Sequence, residues 1–255
     1  MNTKTLLKKL AKRYPKKYAK ANHDFVGLMA GKLPEEVNKI LLCLDMDEEI
    51  FDAVKEVKPD LVITHHPFIY GPKSKVLKYD EAKRELFEKI ENAGLTVYSF
   101  HTNFDTGRDG MNDALSEALG LINVYAPEKD IMMRIGELKE PMEVHEFARF
   151  AKKAFKVDYS LLINKGSSMI KKVGIVGGGG SRGWSLAKEE GCDIYISGDA
   201  PHHVRRGVAC HEFNYLDMPH EIEHIFMPQM KKVLLEIDEN LEIVTIDHEK
   251  LPEVI

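Results

Sequence analysis

NKILLCLDMDEEIFDAVKEVKPDLVITHH, residues 38–66, decides the fold. NKILLCLDMD (38–47) is an unbroken apolar run that ends in acids, EEIFDAVKEV (48–57) has helical spacing, and DLVITHH (60–66) is a second apolar run. Strand, helix and strand with short connections form a crossover unit. Its strands lie parallel and are covered on both faces, which is why they read as continuous apolar runs rather than alternating ones.

The same habit continues outward. YDEAKRELFEKIENAG (79–94) reads as a helix stopped by Gly94, LTVYSFHTN (95–103) as a strand and GMNDALSEALGL (110–121) as a helix. Beyond it, 131–141 reads as a strand and turn, 142–155 as a helix and 158–164 as a strand. Strands follow at 171–180, 193–199, 213–217 and 241–246, with helices at 183–190, 201–211 and 220–236. No repeat or low-complexity linker divides the chain. The expected fold is α/β, two packed lobes with largely parallel sheets, over residues 1–126 and 127–255.

Composition narrows the class. Of 255 residues 30% are charged, and the formal net charge of −5 provides no global field for nucleic acid. Residues 1–20 nevertheless hold eight Lys/Arg and no acid. Leu6, Leu7, Leu10 and Tyr14 share one helical face there, so the stretch reads as an amphipathic helix with a solvated basic side, the alternative being a membrane or polyanion contact. There is no bilayer-length apolar run and no secretory pattern, and Cys43, Cys192 and Cys210 fit buried reduced thiols. The expected location is the cytoplasm, with no membrane partner.

Strand ends hold the chemistry. In open α/β sheets ligands bind beyond the carboxyl ends of strands. VITHH ends in His65 and His66; VYSFHTNFD ends in His101, with Asp105 four residues on; IYISGD ends in Asp199, followed by His202 and His203. NYLDMPHEIEH ends in Asp217, then His220, Glu221, Glu223 and His224. Several imidazoles and carboxylates buried together are costly without a cation, and a divalent metal removes that cost. Where a strand ends the pleat relaxes, so both His65 and His66 can turn into one cleft and serve two metals bridged by a carboxylate, with Asp105 as the bridge. His220 and His224 at i, i+4 share a helical face and can chelate.

With these motifs the chain resembles the Nif-three-like dinuclear metal-centre proteins, some of which are called GTP cyclohydrolase 1 type 2 homologues. HDFVGL (23–28) is similar to the family's W-D-N-V-G-L, LVITHHPFIY to its T-H-H-P-L block, and HTNFDTGRDGMNDALSEALGL (101–121) to its H-T-N-L-D block; VGIVGGGGS, DIYISGD with His203, and NYLDMPH match later blocks in order. The resemblance implies that His65, His66, His101, Asp105 and His220 bind two divalent metal ions per chain. It also implies two α/β lobes with the metal pair between them, and a ring-shaped homohexamer built as a trimer of dimers. The family's last motif is H-x-x-x-E; here His224 stands at +4, so either His224 or a shifted Glu223 completes the ligand set.

Zn, Fe, Mn, Co and Ni all suit such mixed ligands. The expected activity is metal-dependent hydrolysis or ring opening of a nucleotide or phosphoester, with His203 or Glu223 relaying protons; the alternative is a non-catalytic metal-binding or regulatory protein. The glycine run 177–180 admits two readings, an anion contact or a tight strand-to-helix connection where the backbone comes close to its neighbours.

Overall fold

A computed structural model describes residues 1–249 and 252. In chain order the elements are α1 (Thr3–Arg13), α2 (Lys16–Ala21), β1 (Gly27–Ala30), β2 (Lys39–Cys43), α3 (Glu48–Val57), β3 (Leu61–Thr64), α4 (Lys73–Tyr79), α5 (Glu81–Asn92), β4 (Val97–Ser99), α6 (Thr102–Thr106) and α7 (Met111–Ala118). They continue with β5 (Ile122–Tyr125), β6 (Arg134–Glu143), α8 (Val144–Ala154), β7 (Leu161–Ile163), β8 (Met169–Ile175), α9 (Trp184–Glu189), β9 (Ile194–Gly198), α10 (His202–Cys210), β10 (Asn214–Met218), α11 (Phe226–Ile237) and β11 (Glu242–Thr245).

The quoted stretch folds as read. The Asp47 carboxylate caps α3 by accepting from Ile50 N at 2.9 Å, Glu48 and Glu49 favour its N-terminal dipole, and Lys58 closes it in the left-handed region. β2 and β3 then pair in parallel, Cys43 opposite Thr64.

Two units result. The first comprises Met1–Gly110 and Phe226–Glu249, the second Met111–Ile225. The first unit thus breaks off after residue 110, where 126 was expected, and residues 226–249 return to it because β11 pairs in parallel with β2. Among the described residues the first unit's sheet runs β1-β4-β3-β2-β11, parallel except where β1 meets β4. On one side of it Leu41, Val62 and Val97 pack with Ile50, Leu86 and Ile90 from the helices. As expected, Leu6, Leu10 and Tyr14 of the N-terminal stretch are fully buried.

The second unit's sheet runs β5-β6-β8-β9-β10-β7. Only β8-β9-β10 is parallel; β5, β6 and β7 pair antiparallel, so the largely parallel character expected of both lobes holds for the first alone. β6 continues, with an irregular register between Glu137 and Met142, through residues expected to turn and lies antiparallel to β8, while β7 lies antiparallel to β10. Tyr195 and Tyr215 are fully buried in this unit's core with Met133, Ile135 and Val208.

Among the described residues no helix is long and apolar enough to cross a membrane. Cys43 and Cys192 are buried, but Cys210 is exposed at the end of α10, which corrects the expectation that all three are buried. Burial pushes the Cys192 thiol up to about 12 and the Cys43 thiol well above its ordinary value. Iodoacetamide at pH 8 is therefore expected to label Cys210 alone in the folded chain and all three cysteines after denaturation, as read by intact and peptide mass spectrometry.

Candidate metal centre

The parallel register of the first sheet builds the site. Cys43 faces Thr64, and Thr64 faces Ser99. Two residues further along each strand, past the last ladder position, stand Asp45, His66 and His101. Three chain segments thus deliver polar side chains at one level of the sheet's carboxyl edge.

The double histidine resolves at this point. The strand stops at Thr64, and the chain turns so that His65 N and His66 N both donate to Leu44 O, at 3.1 and 2.9 Å. Thr64 Oγ1 donates to His66 O and Ser99 Oγ to His65 O, at 2.8 and 2.7 Å, which fixes the turn. Pleat alternation is lost, and the two rings lie on one side with centroids 4.9 Å apart. His101 joins them at 5.1 Å from His65 and 5.5 Å from His66. It is held by His101 N donating to Asn103 Oδ1 at 3.1 Å, while Asn103 Nδ2 donates to Tyr14 O at 3.0 Å.

Each ring is gripped by the same nitrogen. His65 Nδ1 lies 2.9 Å from Phe100 O, a carbonyl that can only accept, so Nδ1 carries the proton and Nε2 the lone pair. His66 Nδ1 meets Asp45 Oδ2 at 2.8 Å, and His101 Nδ1 meets Asp24 Oδ2 at 2.9 Å. Holding Nδ1 with a carbonyl or carboxylate is how proteins fix a metal-ligating imidazole and raise its basicity. Each of the three offers one ligand nitrogen, and these lie within 4.8 Å of one another, so the donor set fits a divalent transition metal. Asp105 Oδ1, buried on α6, stands 3.5 Å from His65 Nε2. The ring of Phe226, fully buried, closes the other side of His65 with centroids 5.1 Å apart.

The two gripping carboxylates respond to their surroundings. Burial works to raise both; hydrogen bonds outweigh it, from His101, Thr102 and Phe25 N at Asp24 and from His66 at Asp45, leaving each below the usual carboxylate range. Neither acid was singled out as a site residue, though HDFVGL and the acidic end of NKILLCLDMD both stood out in the sequence. Adding two residues to the strand register would have found Asp45. Asp24 had no such signal, because it precedes β1 in a loop.

The second unit holds a smaller group. Asp199, in the left-handed region (φ 55°) after β9, places Oδ2 2.6 Å from His220 Nδ1. His220 Nε2 lies 3.1 Å from Glu223 Oε2, and Glu223 is buried. Residues His220–Ile225 form a 3₁₀ helix rather than the start of an α-helix. At three residues per turn, i and i+3 are aligned and i+4 is not. Glu223 therefore meets His220, while His224 is half-buried one step round and belongs to no convergent triad among the described residues. His203 is exposed on the first turn of α10.

The glycine run takes its second reading. Gly178 has φ +56°, accepts backbone hydrogen bonds from Gly180 and Gly198, and passes so close to Glu223 that a Cβ there would collide with its carboxylate.

The sequence profile of the DUF34/NIF3 family (NGG1p interacting factor 3) matches residues 1–252. The chain belongs to the DUF34/NIF3 family. Among its relatives, a GTP cyclohydrolase 1 type 2 homolog of Lactococcus lactis subsp. lactis (strain IL1403) is 30% identical over 224 residues, 86% of each chain. One from Clostridium perfringens (strain 13 / Type A) is 30% identical over 241 residues, 91% of this chain and 92% of the relative. The fold agrees with a Bacillus cereus protein related to NIF3, with a TM-score of 0.87 at 21% identity over 100% of this chain and 99% of that one. A Staphylococcus aureus hypothetical protein gives 0.89 at 20% identity with the same coverage. The fold expected of a DUF34/NIF3 chain is thus the fold observed, with parallel pairing that is partial in the second sheet.

Proposed function

We propose that this DUF34/NIF3 chain binds two divalent metal ions and uses them to hydrolyse or ring-open a nucleotide or phosphoester. One observation carries the reading: His65, His66 and His101 turn their rings together while a carbonyl or carboxylate holds every Nδ1. Gathering several imidazoles in one buried place is costly, and a divalent cation held by their nitrogens offsets that cost.

Divalent ions, when bound, supply an electrophile and an acidified water. The chain's own residues do the holding. His65, His66 and His101 would offer Nε2 to the ions, and Asp105 its carboxylate. In the second unit His220 and Glu223 would offer ligands of their own, Glu223 taking the place of the glutamate that the family motif puts one residue later. His203, exposed near the start of α10, relays protons. The relatives' name points to GTP among nucleotides, and the reading extends to a homohexamer in the cytoplasm.

Protein stripped with EDTA and reconstituted with Zn, Mn, Fe, Co or Ni is expected to hold two equivalents per chain by elemental analysis. Glu223→Gln is expected to lose one equivalent, and His224→Ala to retain both. Reconstituted protein should turn over members of a nucleotide and phosphoester panel that stripped protein leaves intact. Equal rates for the two would remove the enzymatic reading and leave a metal-binding or regulatory protein.

A further inference from the structure

Beside the histidine group, within the first unit, lies a groove of about 380 Å³, of a size that takes one small organic molecule. Its floor is apolar, with Met29 and Ile69 buried. Its walls expose Phe25 and Leu28, and Tyr70 next to the lining residue Ile69 is 55% exposed. Phe25 and Tyr70 meet edge to face at 6.0 Å, and Tyr70 stands edge-on to His101 at 6.3 Å. Three exposed lysines, Lys16, Lys20 and Lys73, complete the lining.

The charge is one-sided. Among the described residues none of these lysines has a carboxylate within ion-pair distance; Lys16 Nζ and Lys73 Nζ instead rest 5.8 and 3.9 Å from the ring centroids of Tyr98 and Phe87. The acid in the lining, Asp24, is already engaged by His101, Thr102 and Phe25 N. The groove therefore combines open aromatic surface, an apolar floor and unspent positive charge, next to a histidine of the proposed metal centre.

We infer that this groove binds a nucleoside monophosphate, its base against Phe25 and Tyr70 and its phosphate among Lys16, Lys20 and Lys73. The small volume suits one aromatic anion better than a peptide, and an acidic peptide would have no use for the aromatic wall. The sequence allows the N-terminal lysines either a solvated face or a membrane or polyanion contact; here two of them gain an anionic ligand. The inference rests on the proposed hydrolase for what becomes of the ligand, though not for its capture.

Isothermal titration calorimetry of the full chain after EDTA treatment tests it, with AMP, GMP, CMP and UMP as probes and adenosine, inorganic phosphate and hexaglutamate as controls. At least one nucleotide is expected to bind once per chain, about tenfold or more tighter than any control. Lys16→Ala/Lys20→Ala and Phe25→Ala/Tyr70→Ala are each expected to weaken it by about tenfold, with melting temperature and metal stoichiometry unchanged. No nucleotide binding, a nucleoside or hexaglutamate binding as tightly, or indifference to both double variants would overturn the inference. Loss of binding with two metals still held removes the groove alone, and binding without any metal uptake removes the centre alone.

Discussion

Phe226→Ala is expected to lower the unfolding free energy by about 3–5 kcal/mol in urea titrations. The ring is completely buried, 5.0 Å from Phe104 and 5.1 Å from His65 between centroids. Truncation removes apolar surface and leaves a cavity that Phe104 and His65 cannot both fill, since each is fixed elsewhere: His65 through Nδ1 to Phe100 O, and Phe104 against Tyr14 at 4.9 Å. The same loss frees one side of the His65 ring. Metal affinity should fall along with stability, and Phe226→Leu, which refills most of the volume, should recover much of both. A cost under about 1 kcal/mol would mean that the site collapses freely, contrary to the packing described.

Asp45→Ala separates the two properties. The Asp45 side chain is 42% exposed, so its removal leaves little unpacked and stability should change by about 1 kcal/mol or less. Metal affinity should nevertheless fall by about 10–100-fold, the usual loss when the group orienting a ligating histidine is removed. His66 Nδ1 would lose its partner at 2.8 Å, and the ring would be free to rotate or to exchange tautomers. Asp45→Asn, whose amide oxygen still accepts from Nδ1, should restore part of the affinity. Competition titration against a chromogenic chelator measures both variants. An unchanged affinity in Asp45→Ala would show that His66 is not oriented through Asp45.

Much of this was legible in the sequence because burial writes itself into it. β2 and β3 are covered on both faces, so their runs are continuous, and the capped helix between them lies where the acids at 47–49 place it. The convergence of His65, His66 and His101 followed from parallel strands ending in polar residues. What escaped had no such imprint. All four residues of β5 are exposed, α4 buries none, and β1 is a short edge strand, so none bears an apolar period. The second sheet's antiparallel members depend on which strand β6 chooses to pair with, a long-range decision that local pattern does not encode. The 3₁₀ turn at 220–225 matters most for function: one residue of helical pitch decides whether Glu223 or His224 faces His220, and the spacing alone allowed either.

A cation among His65, His66 and His101 is the central claim. The direct measurement is anomalous diffraction from a crystal grown with zinc or manganese, recorded above and below the metal absorption edge. A peak about 2.1 Å from the Nε2 atoms, with every Nδ1 still on Phe100 O, Asp45 or Asp24, is the predicted result. Rings turned apart with no anomalous density among them, while metal is bound elsewhere on the chain, would contradict it.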